Sequence, residues 1–318
     1  MPDDERGANE AEADGSAGGA LDVETAFALL ADETRVAIVR ELGAATASPE
    51  TGIAHLGYAD LQSRADIRDS GRFNYHLTKL RGNYVAKEPE GYRLRWPGMV
   101  LYRTLVAGRL TDDAAPSLGD VAVGTDCHRC GAPIEVSRYE TLVRVRCGTC
   151  DANYTDIYLP SHGLIDRGRE SLLSTIHRRS RSIMDSMTAG HCPWCARAVE
   201  PEVHDDEALP SRHDTRDLDA YAVYHCTECT GFQYAPIAQT LLYRPVTIAF
   251  FHERGRDLTA IPRWELDWAV TDRTTEILGR DPWRFAVRVP FEGSELVVEL
   301  DERLDVVDSR VTASENRE

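Results

Sequence analysis

Several features of enzymes and membrane proteins are missing from this sequence of 318 residues. No run of about 18 apolar residues occurs, because arginine or proline breaks the longest apolar stretches, so no membrane span is predicted. A glycine-rich phosphate loop, Gly-x-Ser-x-Gly and His-Glu-x-x-His are also absent. Residues 1–20 are acidic and lack the basic and apolar regions of a signal peptide. We therefore expect a soluble, cytoplasmic, non-enzymatic protein with a disordered acidic tail over 1–20.

Lysine is scarce, and the chain is strongly acidic. Only two of the 36 basic residues are lysines, Lys79 and Lys87, and 53 acidic residues give a formal net charge of −17. At low salt, such a chain would repel nucleic acid. However, arginine in place of lysine within an acidic chain resembles proteins of extremely halophilic archaea. Since the Debye length is about 3 Å in molar salt, the net charge does not exclude a nucleic-acid partner.

The segment from Arg68 to Arg95 has the opposite charge. It holds seven basic residues, both lysines among them, and three acidic ones, so its net charge is +4. A solvated helix face would give the same count. A basic segment within an acidic chain also favours a surface that binds a polyanion, and charge alone leaves both interpretations open.

The eight cysteines form four Cys-x-x-Cys pairs, and none is left over. Two thiolates three positions apart can supply half of a tetrahedral shell, so the pairs predict two structural Zn²⁺ ions in closed four-cysteine sites. Pairs that follow each other in the chain close the shorter loops and are expected to share a site. The first predicted site is Cys127, Cys130, Cys147 and Cys150, and the second is Cys192, Cys195, Cys226 and Cys229.

Other interpretations of the cysteine pairs are weaker. Disulfides need an oxidising compartment, and a thioredoxin-like centre has a single pair after a strand of a βαβ unit. A catalytic zinc keeps an open position, whereas four thiolates close the shell. Three histidines lie beside the cysteines but are not needed as ligands: His128, His191 and His225. Glycines at or just after three of the pairs are expected to supply backbone with positive φ: Gly131, Gly148 and Gly231.

Apolar spacing in the first third of the chain predicts helices over 23–30, 32–42, 58–65 and 71–81, then a hairpin over 83–96 and a fifth helix over 97–110. Asp32 is expected to cap the second helix and Gly43 to end it, while Asp69 or Ser70 caps the fourth. This order of helices, turn, helix and hairpin is typical of a winged helix-turn-helix.

Two runs of this segment resemble ArsR-type transcription regulators. They are FALLADETRVAIVREL, residues 27–42, and FNYHLTKLRGNYVAKEPEGYRL, residues 73–94. The resemblance implies a winged-helix domain over 21–112, a homodimer formed by the first and fifth helices, and double-stranded DNA as the partner. Metal sensors of this family carry cysteine pairs on the third or fifth helix. This chain has none there, so metal-responsive induction is not implied.

The recognition helix of a helix-turn-helix places its N-terminal residues at base edges. Among the outward positions, Arg72 suits guanine and Asn74 suits adenine, whereas the lysines suit phosphates. The full set of candidate DNA contacts is Arg72, Asn74, Tyr75, His76, Lys79, Lys87 and Arg93. Within this set, His76 fits either a structural role inside the turn or a contact with a base.

The rest of the sequence predicts a zinc ribbon over 120–158, a connecting helix over 159–190, a second ribbon over 191–236 and a C-terminal α+β module over 237–318. Strands are expected near 134–139, 142–146, 283–290, 295–300 and 304–311, and helices over 168–188 and 245–252. The predicted class is therefore an α+β multidomain protein.

Together, these patterns predict a sequence-specific DNA-binding transcription regulator with two structural zinc ions. The ribbons or the C-terminal module could additionally bind a protein partner. Two alternatives stay open on the sequence: an interaction scaffold of the transcription apparatus, and a zinc-dependent nucleic-acid-processing protein.

Overall fold

The computed structural model describes residues 22–46, 54–110, 121–139, 142–160, 163–164, 167–205 and 218–313. The tail expected over 1–20 lies outside these residues. The chain divides into two compact units, Met1–Asp113 and Ala114–Glu318. Helices and four separate sheets occur within the described residues, which confirms the α+β multidomain class. No helix in this described part combines the length and apolar character that a membrane crossing requires.

The first unit follows the predicted order of elements. Its described elements are α1 (Val23–Ala28), α2 (Glu33–Thr46), α3 (Tyr58–Arg64), α4 (Ser70–Leu80), β1 (Val85–Glu88), β2 (Gly91–Leu94) and α5 (Trp96–Val106). The two strands pair antiparallel, with Glu88 opposite Gly91 at the turn. Leu56 bridges to Tyr92 and so ties the segment before α3 to the hairpin.

Side-chain capping explains where α4 begins. The carboxylate of Asp69 accepts hydrogen bonds from the N–H groups of Gly71 and Arg72 at 2.8 and 3.0 Å, which satisfies two free donors of the first turn. The sequence allowed either Asp69 or Ser70 as the cap of α4, and in the structure the cap is Asp69. The apolar side of α4, with Phe73, Leu77 and Leu80, is buried against α2.

Gly43 does not end the second helix, as the sequence had predicted, because α2 continues to Thr46. A Cβ atom at Gly43 would lie 2.2 Å from a ring carbon of Tyr102 on α5. The glycine therefore allows the ring of Tyr102 to pack directly on the backbone of α2. Its role is close helix packing rather than helix termination.

The second unit contains three sheets and three α-helices within its described residues. Four antiparallel strands come first: β3 (Val121–Asp126), β4 (Pro133–Tyr139), β5 (Leu142–Cys147) and β6 (Asn153–Tyr158). Then follow α6 (Arg169–Thr188), β7 (Pro201–His204), β8 (Tyr221–His225), β9 (Phe232–Pro236), a 3₁₀ helix (Ile237–Tyr243), α7 (Pro245–His252) and α8 (Asp267–Val270). The last sheet is β10 (Thr275–Arg280), β11 (Trp283–Phe291), β12 (Ser294–Leu300) and β13 (Val306–Ala313), again antiparallel and in chain order.

Helix α6 contributes to two hydrophobic cores of the second unit. Ile176 and Ile183 pack in the core of the first sheet, whereas Met184 and Met187 pack in a larger core. The larger core also contains buried side chains of β8, α7 and the last sheet. The second predicted ribbon and the predicted C-terminal module therefore share one core.

Some strands of the second unit were not expected from the sequence. The first sheet has β3 and β6 in addition to the two predicted strands, and the last sheet has β10 at its edge. The predicted helix over 245–252 is confirmed at both ends by α7.

Candidate metal centres, basic helix face and interior cavity

The first cysteine group lies at the end of the first sheet. Cys127 follows β3, and Cys147 ends β5. The Sγ atoms of Cys127 and Cys150 are 3.6 Å apart, and those of Cys130 and Cys147 are 3.5 Å apart. All four Sγ atoms lie within 4.8 Å of one another. A tetrahedron of thiolates at about 2.3 Å from a zinc ion has edges of about 3.8 Å, so these spacings suit one metal ion.

The second cysteine group has the same geometry. The Sγ atoms of Cys192 and Cys229 are 3.4 Å apart, and those of Cys195 and Cys226 are 3.5 Å apart. These four atoms also lie within 4.8 Å of one another. The cysteines thus form two groups of sequential pairs, and each group could hold a metal ion.

All four Cys-x-x-Cys segments share one backbone conformation. The N–H of the first cysteine donates to the carbonyl five residues later, as Cys127 does to Ala132 at 2.7 Å and Cys226 does to Gly231 at 2.8 Å. The residue four positions after each first cysteine has positive φ: Gly131, Asp151, Ala196 and Thr230. Only one of these four residues is a glycine. The expectation that glycines supply the positive φ was therefore correct at one of the four positions.

Gly148 and Gly231 are not among the residues with positive φ, contrary to the sequence expectation. Lack of space explains both glycines. A Cβ atom would lie 2.9 Å from the Glu135 carboxylate at Gly148, and 2.4 Å from the Trp194 ring at Gly231. These glycines allow a neighbouring side chain to cover the cysteine loop.

Hydrogen bonds favour the thiolate form at one cysteine of each group. Burial opposes ionisation of Cys127, but the Tyr154 hydroxyl and the N–H groups of Cys130 and Arg129 lower the pKa of the Cys127 thiol to about 6. The N–H of Cys229 makes the largest contribution at Cys226, whose pKa falls to about 7. Since metal ions bind thiolates rather than thiols, both loops are prepared for a cation.

The histidines beside the cysteines do not belong to either four-sulfur group. The Nδ1 atom of His128 lies 2.8 Å from the Tyr154 hydroxyl, and the Nδ1 atom of His191 lies 2.9 Å from the Ala189 carbonyl. His225 is exposed at the end of β8.

In the first unit, five of the seven candidate DNA contacts are exposed. They are Arg72, Asn74, Tyr75 and Lys79 on α4, and Lys87 on β1; we call this set the basic helix face. The Arg72 guanidinium lies 3.1 Å from the carboxylate of Glu33, and both side chains are at least half exposed. The Lys79 ammonium lies 5.7 Å from the centre of the Tyr75 ring.

His76 is buried, unlike its neighbours on α4, with 8% of its surface exposed. Its Nδ1 atom lies 3.4 Å from Oδ1 of Asp32. That carboxylate also accepts hydrogen bonds from the N–H groups of Thr34 and Arg35 at the start of α2. His76 therefore joins α4 to the cap of α2, and of its two predicted roles this geometry favours the structural one.

Arg93 is half-buried and held by a carboxylate of the same hairpin. Its Nε donates to Oε1 of Glu88 at 2.7 Å, and one of its Nη atoms donates to the Leu94 carbonyl. His55 lies 2.8 Å from the other oxygen of Glu88. The hydrogen bonds from Arg93 and His55 lower the pKa of Glu88 to about 2. Arg93 is therefore engaged within the hairpin rather than presented with the exposed face.

A cavity of about 230 Å³ in the second unit was not predicted from the sequence. Its wall includes Asn153 and Thr155 on β6, Gln239 on the 3₁₀ helix, and Arg263. These residues are far apart in the chain and belong to no motif. The sequence offers one local signal near this region, the two tryptophans Trp264 and Trp268 four positions apart.

Comparison with protein-family models gives two matches. Residues 124–306, more than half of the chain, match a family described as a domain of unknown function, DUF7351. The chain belongs to the DUF7351 family. This DUF7351 match begins just before Cys127, contains both cysteine groups and ends at the start of β13. Residues 23–105, from α1 into α5, match a second domain of unknown function, DUF7347. No curated protein and no solved structure matches the chain.

Proposed function

We propose that this protein is a sequence-specific DNA-binding transcription regulator. Its first unit would act as an ArsR-like winged helix-turn-helix, with α4 as the recognition helix and the β1–β2 hairpin as the wing. The observation that carries the proposal is the basic helix face, which is exposed and cationic in a chain whose net charge is −17.

The orientation of α4 supports this assignment. Its apolar side chains are buried against α2, so the opposite side is free to enter a major groove. Arg72 and Asn74 lie in the first turns of the helix, where base contacts are made. The ion pair of Arg72 with Glu33 is exposed and therefore contributes little to stability. Arg72 can exchange this carboxylate for a guanine base at small cost.

The two cysteine groups support two structural Zn²⁺ ions. Four thiolates at tetrahedral spacing fill every position of a zinc shell and leave none for substrate. Buried cysteines of each group are part of the hydrophobic cores, so metal binding would stabilise the second unit directly. The same closed shell gives no support to the alternative of a zinc-dependent nucleic-acid-processing protein.

A homodimer is part of the proposal. Large apolar side chains are exposed on the two helices that would pair in an ArsR-like dimer: Val23 and Phe27 on α1, and Trp96, Val100 and Val106 on α5. Exposed apolar groups on elements that are close in sequence to the DNA-binding helix favour association with a second copy.

One observation favours the second candidate, an interaction scaffold of the transcription apparatus. Trp194, between the two cysteines of a metal loop, is 48% exposed and lies on Gly231. Exposed tryptophan is typical of protein-binding hot spots. A protein partner that binds this loop would fit a scaffold, and it would also fit a regulator that recruits a partner.

Two experiments test the proposal. The first maps DNA occupancy across the genome of the native host, and the second measures DNA binding by the purified chain near the host's salt concentration. Arg72→Ala or Asn74→Ala should cost about 1–3 kcal/mol on the preferred site and relax the sequence preference. Lys79→Ala or Lys87→Ala should weaken binding to all sequences alike. Each should also reduce, by about one unit, the slope of the logarithm of the binding constant against the logarithm of the salt concentration.

An exposed arginine outside the basic helix face provides the control. Arg40 lies on α2 and is exposed, so Arg40→Ala removes the same charge without touching the proposed interface. It should leave the affinity and the preferred sequence unchanged. If Arg72→Ala and Arg40→Ala behaved alike, α4 would not be the reading helix, and the scaffold would be the better account.

A further inference from the structure

The cavity in the second unit has the composition of a ligand site. Its walls come from the first cysteine loop, β6, Leu218, β9, the 3₁₀ helix and the chain over 263–273. Its volume is about 230 Å³, whereas one water molecule needs roughly 10–15 Å³ on the same measure. A small organic molecule therefore fits.

Arg263 places a buried cation on the cavity wall. Its residue is 8% exposed, its side chain is hydrogen-bonded to Tyr243, and its Nε atom has no hydrogen-bond partner. Two acids share this wall: Asp156 lies 3.1 Å from Arg144 but keeps its Oδ1 atom without a hydrogen-bond partner, and Asp272 accepts the N–H of Asp219 at 2.8 Å. Among the described residues, no carboxylate lies within 4.0 Å of the Arg263 guanidinium, although Asp156 is near enough to favour its charged form.

Gln239 adds a second unused donor. Its residue is 3% exposed, and its Nε2 atom has no hydrogen-bond partner. Buried donors without an acceptor are costly, and the cost is larger for a charged group. An anionic oxygen would satisfy both, because guanidinium and amide N–H groups bind carboxylates through short, charge-assisted hydrogen bonds.

Unused acceptors and aromatic rings form other parts of the wall. The Oδ1 atom of Asn153 and the Oγ1 atom of Thr155 have no hydrogen-bond partner. The amide of Asn153 is hydrogen-bonded to Asp156, which leaves its oxygen to accept a bond. Rings of Tyr154 and Phe232 line the same space. Such walls bind the flat apolar body of a ligand, while the polar atoms fix its orientation.

We propose that this cavity binds a small aromatic carboxylate that also carries a hydroxyl or amino group. The carboxylate pairs with Arg263 and Gln239. The hydroxyl or amino group donates to Asn153 or Thr155. This site is separate from the basic helix face, so its test needs no DNA.

The test measures the thermal unfolding of the zinc-loaded full chain in molar potassium chloride, with and without probe. The probes are para-hydroxybenzoate, para-aminobenzoate and salicylate, each beside its neutral amide, together with phenyl phosphate. At least one carboxylate should raise the melting temperature of the second unit, and its amide should not. The inference is overturned if acids and amides act alike, if phenyl phosphate alone stabilises the chain, or if no probe binds and ordered water alone fills the cavity.

Two substitutions in the cavity locate the contact. Gln239→Glu replaces the unused donor by a carboxylate, which cannot donate to the bound acid, so the affinity for the acid should fall about tenfold or more, as expected when a charge-assisted hydrogen bond is lost. Gln233→Glu is the matched control, because Gln233 lines the same cavity but is not among the residues with a buried unpartnered atom. Equal losses in both variants would indicate general charge repulsion and would overturn the assigned contact.

Thr155→Val tests the donor side of the ligand. It removes a buried hydroxyl that has no partner, so the unliganded chain should not lose stability. In the unaltered chain, para-hydroxybenzoate should bind more tightly than benzoate. In the Thr155→Val variant, the two acids should bind with similar affinity. An unchanged preference between these two acids would show that Thr155 does not contact the hydroxyl.

Discussion

Replacing one exposed cysteine in each group separates metal binding from core packing. Cys130 and Cys195 are exposed, so Cys130→Ser and Cys195→Ser remove little buried surface. A serine hydroxyl is un-ionised at neutral pH and is a much poorer zinc ligand than a thiolate. We expect each variant to retain about one zinc ion per chain instead of two.

The structure indicates how large the effect should be. Structural zinc contributes about 10–16 kcal/mol in small zinc domains, which is comparable to the whole stability of an average domain, about 5–15 kcal/mol. Loss of one ion should therefore unfold the elements that depend on it. Cys192 and Cys226 lie in the core that also holds Phe285 of the last sheet, whereas Cys127 and Cys147 pack with α6 and the first sheet.

The two variants should therefore differ in where they loosen the protein. Cys195→Ser should raise hydrogen exchange in β10–β13, and Cys130→Ser should raise it in β3–β6. The core of the first unit contains no cysteine, so α2 and α4 should keep their protection in both. Thr149→Ser and Thr227→Ser alter the other loop of each group without removing a ligand and serve as controls.

Metal analysis and hydrogen exchange measured on the same samples decide the matter. Two zinc ions retained in either serine variant would refute the assigned ligands. Loss of one zinc without any change in exchange or melting temperature would refute the claim that the metal stabilises the second unit.

Three further predictions follow from individual contacts. Gly43→Ala should cost about 1–3 kcal/mol of stability in the first unit, because its Cβ would lie 2.2 Å from an aromatic ring, whereas Gly57→Ala has nothing within 4 Å and should change little in a denaturant titration. Burial lowers the pKa of His177, so the second unit should lose stability as pH falls below about 6.5, and His177→Gln should remove this dependence in melts across pH. Glu88→Gln should release Arg93 and tighten DNA binding with a steeper salt slope; an unchanged affinity would place Arg93 away from DNA.

Local patterns account for the elements that the sequence predicted well. The helix over 245–252 begins with a proline at its first position and is mostly apolar, and α4 has a capping aspartate followed by spaced apolar residues. The cysteine groups depend on spacing alone, because consecutive pairs close the shortest loops. Each of these signals lies within a few residues or follows from chain connectivity.

Features that depend on distant residues were missed. Strand β6, with the sequence NYTDIY, lacks clean alternation because both of its faces are partly covered. Gly43 was predicted to end its helix. The aromatic ring that packs against it comes from a helix more than fifty residues later, so the sequence around Gly43 gives no sign of this contact. The cavity around Arg263 gathers residues from segments spread between His128 and Arg273, and no sequence motif connects them.

The seven candidate DNA contacts stay predictions, and the structure divides them by burial and by partner. His76 and Arg93 match the pattern of the resemblance, yet His76 is buried with its Nδ1 atom 3.4 Å from Asp32, and Arg93 donates a hydrogen bond to Glu88. A basic residue next to a carboxylate on the same unit has already found a partner, and the sequence does not show that pairing. Of the exposed candidates, Arg72 pairs with Glu33 at the surface, and Lys79 and Lys87 each lie over a tyrosine ring.

If the host is halophilic, as the composition suggests, its salt would change how the candidate contacts work. Binding driven by released counterions weakens steeply as salt rises, so lysines at phosphates would contribute less in molar salt than in dilute buffer. Hydrogen bonds to base edges and apolar contacts depend less on ionic strength, because the groups are in direct contact and partly dehydrated. Tyr75 is 58% exposed beside Asn74 on α4 and offers an aromatic surface at the same place. If the proposed function is correct, the preference for one DNA sequence over another should therefore persist in molar salt even where the total affinity falls.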